Sequence, residues 1–212
     1  MFNYRNTYVL ARIFKIDKDS MLKNEIAEYT NSQNQISAYD LKSVDSIQIQ
    51  IENYLKESNI LYVRKSGRTG NESGTYKLRI SKEELAQILH SIQGYPDRVT
   101  NVKIRLFTEH YDDIFTNNNT LFCSLNDYIE QYFEIKTLYK QSQYRNIGTT
   151  GVFYTLYIVN NYDKSIQDSI MFLDNFIKEC KPKNNRTPRW LIQKSTRELL
   201  ICKLKQTPQS LL

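Results

Sequence analysis

No hydrophobic run in this 212-residue sequence approaches the roughly 20 apolar residues that a bilayer-spanning helix needs. The opening segment, MFNYRNTYVLARIF, places Arg5 and Arg12 around a short apolar stretch. It has neither a long apolar core nor a small-residue cleavage site, so no signal peptide is expected. Cysteine is scarce: Cys123, Cys180 and Cys202 are odd in number and show no CxxC spacing. That argues against a disulfide framework and against a zinc site, and it fits a reduced, cytoplasmic setting. His90 and His110 are the only histidines. No Ser-His-Asp or Cys-His signature surrounds either, so hydrolase chemistry has no support. His90 falls near a predicted helix end, where a charged imidazole suits the negative pole of the helix dipole. The Walker pattern GxxxxGK[ST] is absent as well.

What is present suits a soluble, folded chain. Hydrophobic residues make up 40% and charged residues 25%, enough for one substantial core, or one core plus a small appended unit. The net charge of +6 is unevenly placed. From Lys178 to Lys205 nine Lys or Arg face only Glu179 and Glu198, so this segment carries about +7 and the rest about −1.

Residues 7–16 alternate and are rich in β-branched and aromatic types, which predicts a strand. Met21, Leu22, Ile26 and Tyr29 follow at helical spacing, and Thr30–Gln35 make a polar break. Asp45 with Gln48 three residues later predicts a capping box, opening a helix with Ile47, Ile51, Tyr54 and Leu55 on one face. Residues 59–64 and 75–80 read as strands joined by KSGRTGNESG, whose three glycines suggest a hairpin loop. Ser81 with Glu84 predicts a second capping box and a helix that Gly94 and Pro96 end. Further helices are expected over about 98–115, 124–141 and 149–162, although the last is rich enough in β-branched and aromatic residues to suit a strand. Ser165 with Asp168 opens another helix, and Thr187-Pro188 starts the last, with Thr as N-cap. The fold class is therefore α+β: a small strand-containing N-terminal part, then a mostly helical remainder. The expected divisions are an α/β core over 1–95, a helical region over 96–181, and a basic helix and tail over 182–212.

Each candidate for chemistry has a plainer reading beside it. Gly67-Arg68-Thr69-Gly70 matches the GXXG of KH domains, which need a helix on each side where strands are predicted here. The loop is then either a solvated connector or one whose Arg64, Lys65 and Arg68 touch nucleic-acid phosphates. Glu134-Ile135-Lys136 and Glu179-Cys180-Lys181 match the E-x-K of restriction-type nucleases, but both fall in helical patterns rather than on a strand. Asp112 and Asp113 are adjacent, so on a helix they point apart and cannot clasp one metal. No metal site or cofactor is expected. The basic tail is the strongest signal. Lys181, Lys183, Arg186 and Arg189 could supply phosphate affinity, with Trp190 stacking on a base. The alternative is a solvated helix face with Trp190 packed inward.

The spacing Thr30-Asn31-Ser32-Gln33-Asn34, then Asp40-Leu41, Ser43, Asp45 and Gln48, resembles the AIPR (abortive infection phage resistance) family. Tyr62-Val63-Arg64-Lys65 before the glycine-bearing loop, and later Pro96, Val99, Lys103, Leu106-Phe107, Tyr111 and Ile114-Phe115, extend the likeness over about residues 8–116. No likeness is seen beyond residue 120. The resemblance implies bacterial anti-phage defence. Members of the family carry an upstream restriction-endonuclease-like region and a glycine-rich turn, both missing before the first strand here. The chain is therefore expected to have no nuclease activity of its own and to engage DNA, RNA or a nuclease-bearing subunit, with no membrane. Asn31, Gln33, Asn34, Asp40, Asp45 and Gln48 would form a ligand loop. The other reading is a structural interaction domain of a defence complex that never touches nucleic acid.

Overall fold

The computed structural model describes residues 37–65, 75–101, 103–115, 119–140 and 147–206. The chain divides into two units, Met1–Ser37 and Ala38–Leu212, and every element below belongs to the second. The strand expected at 7–16, the helix at 17–29 and the polar turn at 30–35 lie outside the described residues, as do Asn31, Gln33, Asn34 and Arg68.

At the centre lies a helix over Gly148–Tyr162, in which every residue from Thr150 to Ile158 is buried. A helix apolar on all sides must be surrounded. Its neighbours are helices over Lys82–Ile92, Asn119–Leu138, Ile166–Cys180 and Thr187–Leu191. This placement explains why the segment's sequence suits a strand as well as a helix: no polar face is needed to set a 3.6-residue period. Polar side chains tie the packing together. Ser91 Oγ donates to the Phe153 carbonyl at 2.6 Å, and the Tyr154 hydroxyl donates to the Leu191 carbonyl at 2.8 Å. Tyr139 and Thr155 hydroxyls share a hydrogen bond of 2.8 Å.

In chain order the elements are α1 (Ala38–Leu41), a 3₁₀ turn (Lys42–Val44), α2 (Ser46–Glu57), β1 (Ile60–Val63), β2 (Leu78–Ser81) and α3 (Lys82–Ile92). Then come α4 (Arg105–Thr108), α5 (Tyr111–Ile114), α6 (Asn119–Leu138), α7 (Gly148–Tyr162), α8 (Ile166–Cys180), α9 (Thr187–Leu191) and α10 (Lys194–Gln206). The class is α+β and mostly helical, as the residue pattern predicts. Among the described residues no helix is long and apolar enough to cross a membrane.

Several local predictions are met in atomic detail. Ser81 Oγ accepts from the Glu84 amide at 3.1 Å, while Glu84 Oε2 accepts from the Ser81 amide at 3.2 Å, completing the capping box of α3. Gly94 takes the left-handed conformation that stops the helix, at φ +107°. Ser165 caps α8 through a 3.0 Å hydrogen bond from the Asp168 amide. Glu134-Ile135-Lys136 lies within α6, and Glu179-Cys180-Lys181 closes α8, with Lys181 as its extended C-cap residue, so neither triplet is on a strand.

Four expectations are corrected. The two strands pair in parallel, with Ile60 opposite Leu78 and Val63 opposite Ser81, so they are not the two arms of a hairpin. A parallel pair requires the link to carry the chain back to the start of the next strand. Residues 98–115 do not form one helix. Val99, Leu106, Phe107, Tyr111 and Ile114 are buried at helix-like spacing, but turns and the one-turn helices α4 and α5 deliver them. The last helix breaks at Ile192 and Gln193 into α9 and α10, and Arg186 rather than Thr187 is its N-cap residue, with Pro188 still in the first turn. The Asp45–Gln48 box does not form: Asp45 precedes α2 without a side-chain cap bond, because Gln48 is turned inward.

Candidate functional site

The inward turn of Gln48 organises the segment around the Asp-Leu-x-Ser-x-Asp-x-x-Gln spacing. Gln48 is fully buried. Its Nε2 donates to the Tyr111 hydroxyl at 3.1 Å, and its Oε1 accepts from the Tyr62 hydroxyl at 2.5 Å. One amide thus links α2 to β1 and to α5. Burial raises the hydroxyl pKa of Tyr62 and of Tyr111 well above the ordinary tyrosine value, so both stay neutral. Replacing Gln48 with leucine would strand the buried Tyr62 hydroxyl and leave that of Tyr111 to Lys42 and Asp45, so a stability loss of about 1–3 kcal/mol is expected. Chemical denaturation of the variant measures this, and a loss well below 1 kcal/mol would contradict the arrangement.

Arg64 completes the same frame. Its Nε pairs with Glu52 at 2.7 Å, and its Nη1 donates to the Ser43 carbonyl at 2.6 Å. Its side chain is only 15% exposed. Arg64 therefore braces the 3₁₀ turn against α2 and β1, and it is not presented to a nucleic-acid backbone. Ser43 contributes its carbonyl, and Asp45 pairs with Lys42 at 3.5 Å. Lys42 also lies over the Tyr111 ring at 4.2 Å. Asp40, in α1, is half-buried. Most of this signature is thus spent on holding α1, the 3₁₀ turn and α2 onto β1.

Lys82, the first residue of α3, is fully buried. Its ammonium donates to the Tyr39 carbonyl and lies 3.8 Å from the Tyr39 ring centroid and 5.2 Å from that of Phe107. Burial lowers its pKa to about 8, against the favourable pull of Asp40 and Asp45. Between that value and the ordinary lysine value near 10.5 the unfolded chain holds the proton and the folded chain does not. Stability contributed by this group therefore rises with pH through that window. Denaturation of the wild type is expected to show the rise between about pH 8 and 10, and Lys82→Met to abolish it. An identical profile in the variant would contradict the assignment.

The basic segment lies elsewhere, over the loop between α8 and α9 and into α9, where Arg189 sits. Lys183, Arg186 and Arg189 are exposed, and no ion pair engages them among the described residues. Lys181 is half-buried and donates to the Asn185 carbonyl at 2.8 Å, closing the loop on itself. Four other cations of this region are paired: Lys178 with Asp174, Lys194 with Glu198, Lys203 with Glu179, and Arg197 with Asp97, while Lys205 near the end of α10 is exposed. Trp190 is 5% exposed and stacks on Phe176 at 5.2 Å between centroids. Its ring is core, so base stacking at this position is corrected: no exposed indole is offered. Lys65, at the end of β1, is exposed.

Sequence reasoning missed two features. One is a cavity of about 490 Å³ between the end of α6 and the start of α7, bounded by Tyr132, Lys136, Tyr139, Lys140, Thr149 and Val152. Within it Lys136 pairs with Glu84 at 3.0 Å, and the Tyr132 hydroxyl lies 3.3 Å from the same carboxylate. The other is the burial of His90, which is 2% exposed and stacked on His110. Burial, and then the neighbouring His110, lower the His90 pKa to about 4. It is therefore neutral and does not serve as the charged partner of a helix dipole. Among the described residues no three His, Cys, Asp or Glu side chains gather to hold a metal ion.

Comparison with known proteins places this geometry in a family. The family model described as AIPR protein matches residues 2–197. The match runs well past residue 120, where the likeness read from local spacing stops, and takes in the whole basic loop and Arg197. No curated protein and no solved structure matches the chain.

Proposed function

The chain belongs to the AIPR family, and from that premise we propose that it serves phage defence by engaging nucleic acid through the loop between α8 and α9 and the first turn of α9. At family level the role is abortive infection and phage resistance. The observation that supports nucleic-acid engagement is the grouping of Lys183, Arg186 and Arg189, exposed within seven residues, while Lys178, Lys194, Arg197 and Lys203 are held in ion pairs. Unpaired cations release counterions when they meet phosphates, which gives affinity without sequence preference. With Trp190 in the core, the contact is to backbone rather than to bases. Binding of labelled single-stranded DNA, duplex DNA and RNA at low salt tests the proposal. Absence of binding to all three, with capture of a neighbouring defence protein instead, would favour a purely structural interaction domain.

A further inference from the structure

The C-terminal end of α3 carries an unusual stack of rings. His90 lies between Tyr95 and His110, with centroids 4.8 Å apart on each side and interplanar angles of 17° and 24°. Two guanidinium groups, from Arg98 and Arg197, sit 5.0 and 5.1 Å from the Tyr95 ring. Arg197 is neutralised by Asp97 at 3.1 Å. Arg98 has no carboxylate partner among the described residues. His90 is 2% exposed, and its ring nitrogens make no well-formed hydrogen bond, with the Gln93 side chain nearby as a weak partner.

Beside this stack opens a cavity of about 230 Å³, lined by Arg98, Arg105, Leu106, Glu109 and His110. Arg105 shares its charge with Glu109 at 3.3 Å across an exposed i, i+4 pair, an interaction weak enough to be exchanged. The polar wall is thus two guanidinium groups and an imidazole, against one carboxylate. Guanidinium presents a planar fork of donors that matches the oxygens of a phosphoryl group. The space is larger than a bare phosphate and leaves room for part of the group esterified to it.

We propose that this cavity is a binding site for a phosphate monoester, held by Arg98 and Arg105 with His110 at its side. His90, stacked on His110 and outside the cavity lining, keeps that imidazole in place. The site is separate from the basic loop between α8 and α9 and does not depend on it. A phosphate monoester could come from a free nucleotide or from the 5′ end of a nucleic-acid strand, and the same three side chains would receive either.

The two histidines give a direct readout, because only two sets of imidazole resonances exist in the chain. Titration of the intact protein with inorganic phosphate, against chloride at equal ionic strength, is expected to shift the imidazole signals saturably. Arg98→Gln and Arg105→Gln are each expected to weaken the apparent affinity about tenfold, the loss of one charge-assisted contact. Lys56→Glu, at an exposed position of α2 that lines neither the cavity nor the basic segment, should leave it unchanged. Arg105 is exposed, so its variant reports even where Arg98→Gln fails to fold. Adenosine 5′-monophosphate and a pair of DNA oligonucleotides with 5′-phosphate or 5′-hydroxyl ends then distinguish the sources. Tight mononucleotide binding assigns a free ligand, and an Arg98-dependent preference for the phosphorylated oligonucleotide assigns a strand end. No saturable shift with phosphate, or a shift that survives both arginine substitutions, would overturn the proposal.

Discussion

Arg197→Ala is expected to destabilise the protein by about 3–5 kcal/mol, the largest loss foreseen for a single substitution away from the hydrophobic core. Arg197 projects from α10, and its Nη1 lies 3.1 Å from Asp97 and 3.4 Å from the Gly94 carbonyl. The Asp97 residue is 2% exposed, so removing its partner leaves a carboxylate with little water. Breaking one side of a buried pair is costly because the surviving charge is uncompensated, even where the intact pair contributes little net stability. The substitution also removes the guanidinium over Tyr95, whose ring supports the His90 stack. Replacing both partners with apolar residues of similar size should therefore recover much of the loss, which separates the orphaned charge from lost packing. Urea denaturation of the single and double variants decides the matter. A loss under about 1 kcal/mol for Arg197→Ala would mean that the pair behaves like a surface ion pair.

Reversing Lys183, Arg186 and Arg189 together to glutamate is expected to lower affinity for single-stranded DNA at least a hundredfold at low salt. The change replaces three attractive contacts by three repulsive ones, and it should flatten the dependence of log K on log salt by about 2, at roughly 0.7 per lost phosphate contact. Because all three residues are exposed and unpaired among the described residues, the melting temperature should move little. Preserved folding with preserved affinity would assign the binding, if any, to another surface.

How far the sequence was legible depended on which physical rule each segment obeys. The cap of α3 was readable because Ser81 and Glu84 act within one turn, and so was the cap of α8 at Ser165. Gly94 was readable because only a left-handed residue ends a helix in that way. The direction of β2 was not, since β-branched composition and burial alternation are the same for parallel and antiparallel partners. The Asp45–Gln48 box was misread for a different reason. Its residues fit a local cap, but the distant hydroxyls of Tyr62 and Tyr111 offered Gln48 a buried pairing that the local sequence does not contain. Arg64 and Trp190 follow the same rule: each reads as a surface contact by residue type, and each is committed inside by a partner far along the chain, Ser43 or Phe176. His90 reads as a dipole partner until its stack with Tyr95 and His110 is seen. Lys183, Arg186 and Arg189 remain exposed, and among the described residues no carboxylate pairs with them.

The most direct test of nucleic-acid engagement is the affinity of the intact chain for a single-stranded oligonucleotide across a salt series. The account predicts a linear fall of log K with log salt, of slope about −2 to −3, that the triple charge reversal largely removes. Binding absent at low salt, or a slope that the reversal leaves unchanged, would contradict it.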